Sequence, residues 1–147
     1  MTGTPSEGAA PQPWVLDVSA LTAMARGDEG AMTLIQSLDA RRLPLVIPVL
    51  AAAGASLAAR DGDADDLLAG LENFPSVTVA AVLNPGQALA LATVISRTGL
   101  DPWDAHVAAV ADESVCPIVT LDAAKWREHA SDLDEPLHFI EIEDPEE

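Results

Sequence analysis

The sequence has few cysteines, aromatic residues and bases, and it has no long apolar run. One cysteine among 147 residues cannot form a disulfide within the chain, so we expect a reducing, cytoplasmic setting. No apolar segment approaches the roughly 20 residues that span a bilayer. The start MTGTPSEGAAPQP lacks the basic beginning and apolar middle of a secretion signal. We therefore expect neither a membrane protein nor a secreted one.

Bases are scarce as well. The chain carries 24 acidic and 7 basic residues, a net charge of −17. Without Glu7 and the five acids from residue 141 onward, the body still has 18 acids against 7 bases, a net charge of −11. The bases form no basic run. Such a body repels a phosphate backbone, so any action on nucleic acid requires bound cations or a basic partner.

The sequence pattern divides the chain into a lead (1–13), a folded body (14–142) and an acidic tail (143–147). We predict that the proline-containing lead is disordered. In the body, short apolar runs alternate with segments of helical spacing. The predicted strands are WVLDV (14–18), LPLVIPV (43–49), SVTVAAV (76–82), CPIVTLD (116–122) and LHFIEI (137–142). This alternation predicts a three-layer α/β/α domain around a central parallel sheet of about five strands.

Aspartates end two of these strands and open the helix that precedes one of them. Asp17 ends the first strand, Asp122 ends the fourth, and Asp104 lies in the first turn of DPWDAHVAAVADES. In open parallel sheets, ligands bind beyond the carboxyl ends of the strands, where the strand order reverses. If the first and fourth strands are neighbours, the three carboxylates meet there and stay charged only around a cation. Oxygen ligands of this kind favour Mg²⁺ or Mn²⁺.

A second interpretation needs no metal, because aspartate is a common helix N-cap. Asp17 precedes a helix that starts near Ser19, and Asp122 precedes one that starts at Ala123. Such a cap stabilises a helix by about 1 kcal/mol and complements the helix dipole. Asp101 is best explained in this way. For Asp17 and Asp122 the residues alone leave both interpretations open.

The segments around the three acids resemble the PIN-domain ribonucleases, a family that includes the toxins of bacterial toxin–antitoxin pairs. WVLDVSAL resembles the first strand of the family, in which Asp17 is followed two residues later by Ser19. DPWDAHVAAVA resembles the Asp-Ala segment at Asp104, and PIVTLDAAKW resembles the strand that ends in Thr-x-Asp at Thr120 and Asp122. The resemblance covers roughly residues 14–142 and implies the strand order 3-2-1-4-5.

The resemblance also implies a function. PIN-domain ribonucleases hydrolyse RNA phosphodiester bonds with a metal-activated water. On this chain, Asp17, Asp104 and Asp122 would be the catalytic residues and the ligands of Mg²⁺ or Mn²⁺, supported by Ser19 and Thr120. An antitoxin-like or other basic protein partner is implied too, in a bacterial cytoplasm. The Ala/Leu-rich helices at 49–60 and 86–97 are either ordinary core or the face of a homodimer, and the resemblance slightly favours the dimer.

One residue of the family pattern is missing. The family usually has a glutamate on the helix after the second strand, in a segment like P-x-L-x-x-A-E, where this chain reads IPVLAAAGASLAAR. The expected position holds Ala53 or Gly54, and neither side chain binds a metal. Four aspartates between 61 and 66 follow, but they are more typical of a solvated turn and a helix start. Two functions therefore stay open: an endoribonuclease with three carboxylates, and a catalytically degenerate PIN-like protein-interaction module.

The other candidate residues are more typical of packing than of chemistry. His106 lies two residues after Asp104 and so points away from it on a helix. Lys125 beside Asp122 gives a faint similarity to phosphoryl-accepting receiver domains. Receivers, however, place a pair of acids after the first strand, where this chain has only Asp17. The three tryptophans are expected to pack in the core or at its edge: Trp14, Trp103 and Trp126.

Overall fold

The computed structural model of the protein describes residues 12–142. Most of the predicted disordered lead and the whole predicted acidic tail lie outside these residues. The strands are β1 (Trp14–Leu16), β2 (Leu45–Pro48), β3 (Val77–Ala80), β4 (Ile118–Thr120) and β5 (Phe139–Glu141). The helices are α1 (Val18–Ala25), α2 (Glu29–Ala40), α3 (Val49–Ala59), α4 (Gly62–Gly70), α5 (Pro85–Thr98), α6 (Pro102–Ser114) and α7 (Ala123–His129). In residues 12–142, no helix is both long and apolar enough to cross a membrane.

The five strands form one parallel sheet in the order β3-β2-β1-β4-β5. The predicted α/β/α fold and the strand order implied by the family resemblance are therefore confirmed. β1 lies at the centre, where Val15 is in register with Val46 of β2 and with Ile118 of β4. The strand order reverses between β1 and β4, so the carboxyl ends of these two strands form the edge where ligands are expected.

Each observed strand lies inside its predicted run but is shorter. β1 ends at Leu16 because Asp17 already serves as the N-cap of α1. Likewise β4 ends at Thr120, two residues before Asp122 caps α7. The same acids thus end the strands and begin the helices, which places their side chains at the carboxyl edge of the sheet.

The core lies on both sides of the central strands, while the outer strand β3 and helix α5 are more open. Val15, Leu16, Ile118 and Val119 are at most 1% exposed, as expected for strands that helices cover on both faces. Three apolar side chains near β3 and α5 are exposed instead: Val79, Leu83 and Leu89. The molecule therefore has a tightly packed centre and an apolar outer rim.

Candidate functional site

Asp17 lies at the centre of the carboxyl edge and is fully buried. Its Oδ1 accepts hydrogen bonds from the Ser19 hydroxyl at 2.7 Å and from the Ala20 backbone N–H at 2.9 Å. Its Oδ2 accepts one from the indole N–H of Trp126 at 2.8 Å. Asp17 is therefore both a helix cap and a buried carboxylate held in one orientation by three donors.

Two hydroxyl groups connect the ends of β1 and β4 beside Asp17. The Ser19 hydroxyl lies 3.3 Å from that of Thr120 and accepts a hydrogen bond from the Leu121 N–H at 2.9 Å. The Thr120 hydroxyl accepts one from the Asp122 N–H at 2.8 Å. Ser19 and Thr120 therefore fix the positions of the two strand ends that carry Asp17 and Asp122.

Asp101 and Asp104 in DPWDAHVA do different things. Asp101 caps α6, and its Oδ1 accepts a hydrogen bond from the Asp104 backbone N–H at 2.9 Å. The Asp104 side chain instead points to Lys125, whose Nζ lies 2.8 Å from Asp104 Oδ2. Asp104 Oδ1 is buried and has no hydrogen-bond partner among the described residues. Asp104 is thus a nearly buried carboxylate with one free oxygen.

Charges at this edge act on one another. Burial raises the pKa of Asp104; the hydrogen bond and charge of Lys125 lower it, Asp101 and Asp17 raise it, and the net pKa is above its usual range. Burial alone lowers the pKa of Lys125, but Asp104, then Asp17 and Asp122, outweigh it and raise that pKa. The Lys125 ammonium therefore lies within the electrostatic influence of all three predicted site aspartates.

Asp122 is the most open of the three. Its side chain is exposed, and its Oδ1 accepts a long hydrogen bond of 3.3 Å from the Lys125 N–H, as the cap of α7. It acts on the Lys125 ammonium through its charge. The structure thus pairs Asp104 with Lys125, keeps Asp17 buried on its own three donors, and leaves Asp122 at the solvent side of the same edge.

Of the two residues at the glutamate position of the family, one is closed by packing and the other is exposed. Gly54 is buried on α3, whereas Ala53 is exposed. A Cβ at Gly54 would lie 2.8 Å from Cβ and 2.9 Å from Cγ of Trp103. Contacts this short are essentially never found for a Cβ atom in proteins. Trp103 on α6 therefore occupies the space that any side chain at this position needs. The four aspartates at 61–66 are exposed residues at the start of α4, as predicted.

These contacts bear on whether the edge could hold a metal ion, and on how many. Within residues 12–142, no three His, Cys, Asp or Glu side chains are grouped so that they could hold an ion. Mg²⁺ commonly takes only one or two carboxylates and completes its shell with water and phosphate. The buried Oδ1 of Asp104, which has no partner among the described residues, and the ammonium held beside it are the features of this edge that fit a single bound cation. Nothing at Gly54 fits a second one.

Three residues have roles that the sequence interpretation missed or left general. Lys125 pairs with Asp104, and the indole of Trp126, fully buried, binds Asp17. No local spacing signalled the pair of Lys125 and Asp104, because the two residues lie 21 positions apart. His106 is buried, as the packing interpretation expected, and its Nδ1 accepts a hydrogen bond from the Leu50 N–H at 3.2 Å. It thereby caps α3, whose N-cap residue is Pro48 and has no capping side chain.

Comparisons with known proteins agree with this geometry. The family model described as "PIN domain" matches residues 14–131. A chain of the VapBC2 complex of Rickettsia felis, solved with a DNA fragment from its promoter, superimposes with a TM-score of 0.61 at 11% identity, covering 89% of this chain and 99% of that one. PAE2754 from Pyrobaculum aerophilum gives a TM-score of 0.54 at 25% identity, covering 94% of this chain and 92% of that one. No curated protein matches the chain.

The family match spans most of the chain and includes every residue of the carboxyl edge described above. The two structural likenesses extend the agreement to the fold as a whole. The chain therefore belongs to the PIN-domain family, a family of nuclease-type proteins.

Proposed function

We propose that this protein is an endoribonuclease that hydrolyses RNA phosphodiester bonds at the edge formed by Asp17, Asp104 and Asp122. The observation that carries the proposal is that the acidic edge already holds a cation, the Lys125 ammonium, in a place that a divalent ion could take. The ammonium lies 2.8 Å from Asp104 and is influenced by both other acids. An edge that holds a cation at the reversal of strand order is suited to meet the negative charge of a phosphodiester.

Each residue of the edge has a part in this proposal. Asp104, through its free Oδ1, and Asp17 would hold a divalent ion, Mg²⁺ or Mn²⁺. When bound, such an ion neutralises phosphate charge and lowers the pKa of a water molecule. Trp126, Ser19 and the Ala20 N–H keep the Asp17 carboxylate in place. Asp122 at the solvent side would orient a water molecule toward the substrate.

The negative charge of the chain restricts how RNA approaches. At −17 overall, the protein repels a nucleic acid at long range, so attraction is confined to the cation at the edge. A basic partner would offset this repulsion. The likeness to a chain of a VapBC2 complex supports a toxin-type role, in which an antitoxin-like protein is that partner and the setting is the bacterial cytoplasm.

The test is cleavage of a fluorophore-quenched single-stranded RNA in Mn²⁺ by the full-length protein and matched variants. We expect the wild type to cut and both Asp17→Asn and Asp104→Asn to lose at least about 100-fold in rate, the scale on which removal of a catalytic electrostatic group acts. Asp101→Asn is the control, because it removes the same charge three residues from Asp104 and asparagine still caps a helix. Intact RNA with the wild type, or equal loss in Asp101→Asn, contradicts the proposal.

A second candidate function is a degenerate PIN domain that binds a protein and cuts nothing. The contact of Trp103 with Gly54 favours it, since this closes one of the two positions expected for the fourth carboxylate. An apolar groove between β3, α5 and α6, lined by residues such as Ala80, Leu91 and Val110, is a surface for such a partner or for a second copy of the chain. Under this candidate the RNA stays intact with the wild type and with every variant named above.

A further inference from the structure

We propose that Lys125 is a built-in cation that competes with divalent metal for the acidic edge. A metal ion and the Lys125 ammonium then exclude each other, and the affinity of the edge for metal is set by this one side chain. The inference rests on the proposed function, because it concerns the same carboxylates. It goes further by naming what occupies the edge when no metal is bound.

The contact between Lys125 and Asp104 is the first observation. The ammonium lies 2.8 Å from Asp104 Oδ2, whose side chain is 9% exposed. The second oxygen of this carboxylate is buried with no partner among the described residues. One ammonium therefore satisfies only half of Asp104, while a divalent ion, which has several coordination positions, could engage the free oxygen as well. The edge is occupied by a cation that does not use all its ligands.

The anchoring of Lys125 is the second observation. Its neighbour Trp126 is fully buried and donates its indole N–H to Asp17 Oδ2 at 2.8 Å. On its other side, Asp122 caps the helix that carries both residues. The backbone of Lys125 is thus fixed at the edge, which gives the tethered ammonium a high effective concentration there. An ion from solution must compete with an intramolecular one.

The exposure of Lys125 is the third observation. Its side chain is 26% exposed, and its ammonium lies 5.9 Å from the centre of the Trp126 ring. The long flexible side chain can therefore leave Asp104 for solvent without unfolding any element. This makes Lys125 a displaceable competitor and distinguishes it from Trp126, which is enclosed by the core.

The experiment measures Mn²⁺ binding, with no RNA present, by the loss of the free Mn²⁺ signal in electron paramagnetic resonance. Lys125→Gln removes the ammonium, and Lys125→Met does the same without any polar donor. Arg127→Gln is the matched control, because it removes one positive charge from the same helix at an exposed position beside Phe139. Asp104→Asn combined with Lys125→Gln reports whether the binding is at the edge. Thermal melting of each variant establishes that it is folded.

We expect both Lys125 variants to bind Mn²⁺ at least about tenfold more tightly than the wild type, the change produced by removing one nearby like charge. Arg127→Gln should match the wild type, and Asp104→Asn should abolish the gain. Equal affinity in the wild type and both Lys125 variants overturns the inference but leaves the proposed ribonuclease standing. Absence of Mn²⁺ binding in every variant overturns both. If Lys125→Met fails to fold, Lys125→Gln decides alone.

Discussion

The two buried aspartates of the carboxyl edge have opposite surroundings. Asp17, at the end of β1, accepts hydrogen bonds from a hydroxyl, a backbone N–H and an indole N–H. Asp104, in the first turn of α6, accepts one from an ammonium, and its other oxygen has no partner among the described residues. The first carboxylate is held by groups that cannot leave without disturbing the core. The second is held by a flexible, partly exposed side chain.

This difference distinguishes a carboxylate that the fold holds in place from one whose partner can be replaced. A buried carboxylate with neutral donors keeps its place whatever ion is present, because each donor belongs to a strand, a helix or a core side chain. A buried carboxylate oxygen without a partner is rare in folded proteins, and under the proposed function it is the oxygen that a bound ion would engage. We therefore assign the fixed half of the edge to Asp17 and the exchangeable half to Asp104.

The largest expected effect on stability follows from substitutions at Trp126, the partner of Asp17. Trp126→Ala removes a fully buried ring together with its hydrogen bond to Asp17, and we expect a loss of about 3–5 kcal/mol in the free energy of unfolding. Trp126→Phe keeps most of the ring but leaves the buried Asp17 oxygen without its donor, with an expected loss of about 1–3 kcal/mol. Urea denaturation at neutral pH measures both. If Trp126→Phe is as stable as the wild type, the indole does not hold Asp17.

A smaller effect on stability is expected where α3 packs against α6, at Gly54. Gly54→Glu reintroduces the glutamate of the family against Trp103, so we expect a loss of about 1–3 kcal/mol from overpacking. Ala58→Glu is the matched control, because it adds the same side chain at an exposed position of the same helix, where changes stay within about 0.5 kcal/mol. Chemical denaturation compares the two. Equal stability of both variants would mean that Trp103 moves aside and the position is open.

The smallest expected effect on stability concerns His106, which lies two residues after Asp104 in the sequence. Burial lowers the pKa of His106, so the folded protein resists a proton that the unfolded chain binds near pH 6.5. Stability from the neutral imidazole is complete above about pH 6.5 and is lost as the pH falls below it. His106→Gln should reduce this loss in thermal melts between about pH 8 and pH 5. His138→Gln, at an exposed position, is the control and should leave the pH dependence of the melting temperature as it is in the wild type. If His106→Gln also leaves that pH dependence unchanged, the buried His106 is not its cause.

Much of the fold was predictable from the sequence. Continuous apolar runs such as LVIP and IVT marked strands covered on both faces, and the acids at 17 and 122 marked the strand ends. The strand boundaries were less predictable, because Asp17 and Asp122 end a strand and cap a helix at the same time. The order of the strands came from the family resemblance, since short apolar runs do not reveal which strands pair.

The site was predictable only in part. Asp17 and Asp122 follow from the ends of strands and Asp104 from the start of a helix, but the partners of Asp17 and Asp104 outside their own helices lie more than 20 residues away in sequence. Trp126 bonds across 109 residues to Asp17, and Lys125 across 21 to Asp104. A tryptophan on the buried face of a short helix is ordinarily a core residue, and nothing in its local pattern indicates a carboxylate partner. The closure of Gly54 by Trp103 likewise depends on the packing of α3 against α6.

The most direct test of the central claim is the anomalous diffraction of Mn²⁺ in crystals of the wild-type protein soaked at high Mn²⁺ concentration. We predict one anomalous peak within bonding distance of Asp104 Oδ1 and of an Asp17 oxygen, with the Lys125 side chain turned toward solvent. A structure in which Lys125 still contacts Asp104 and no peak lies at the carboxyl edge would contradict the account.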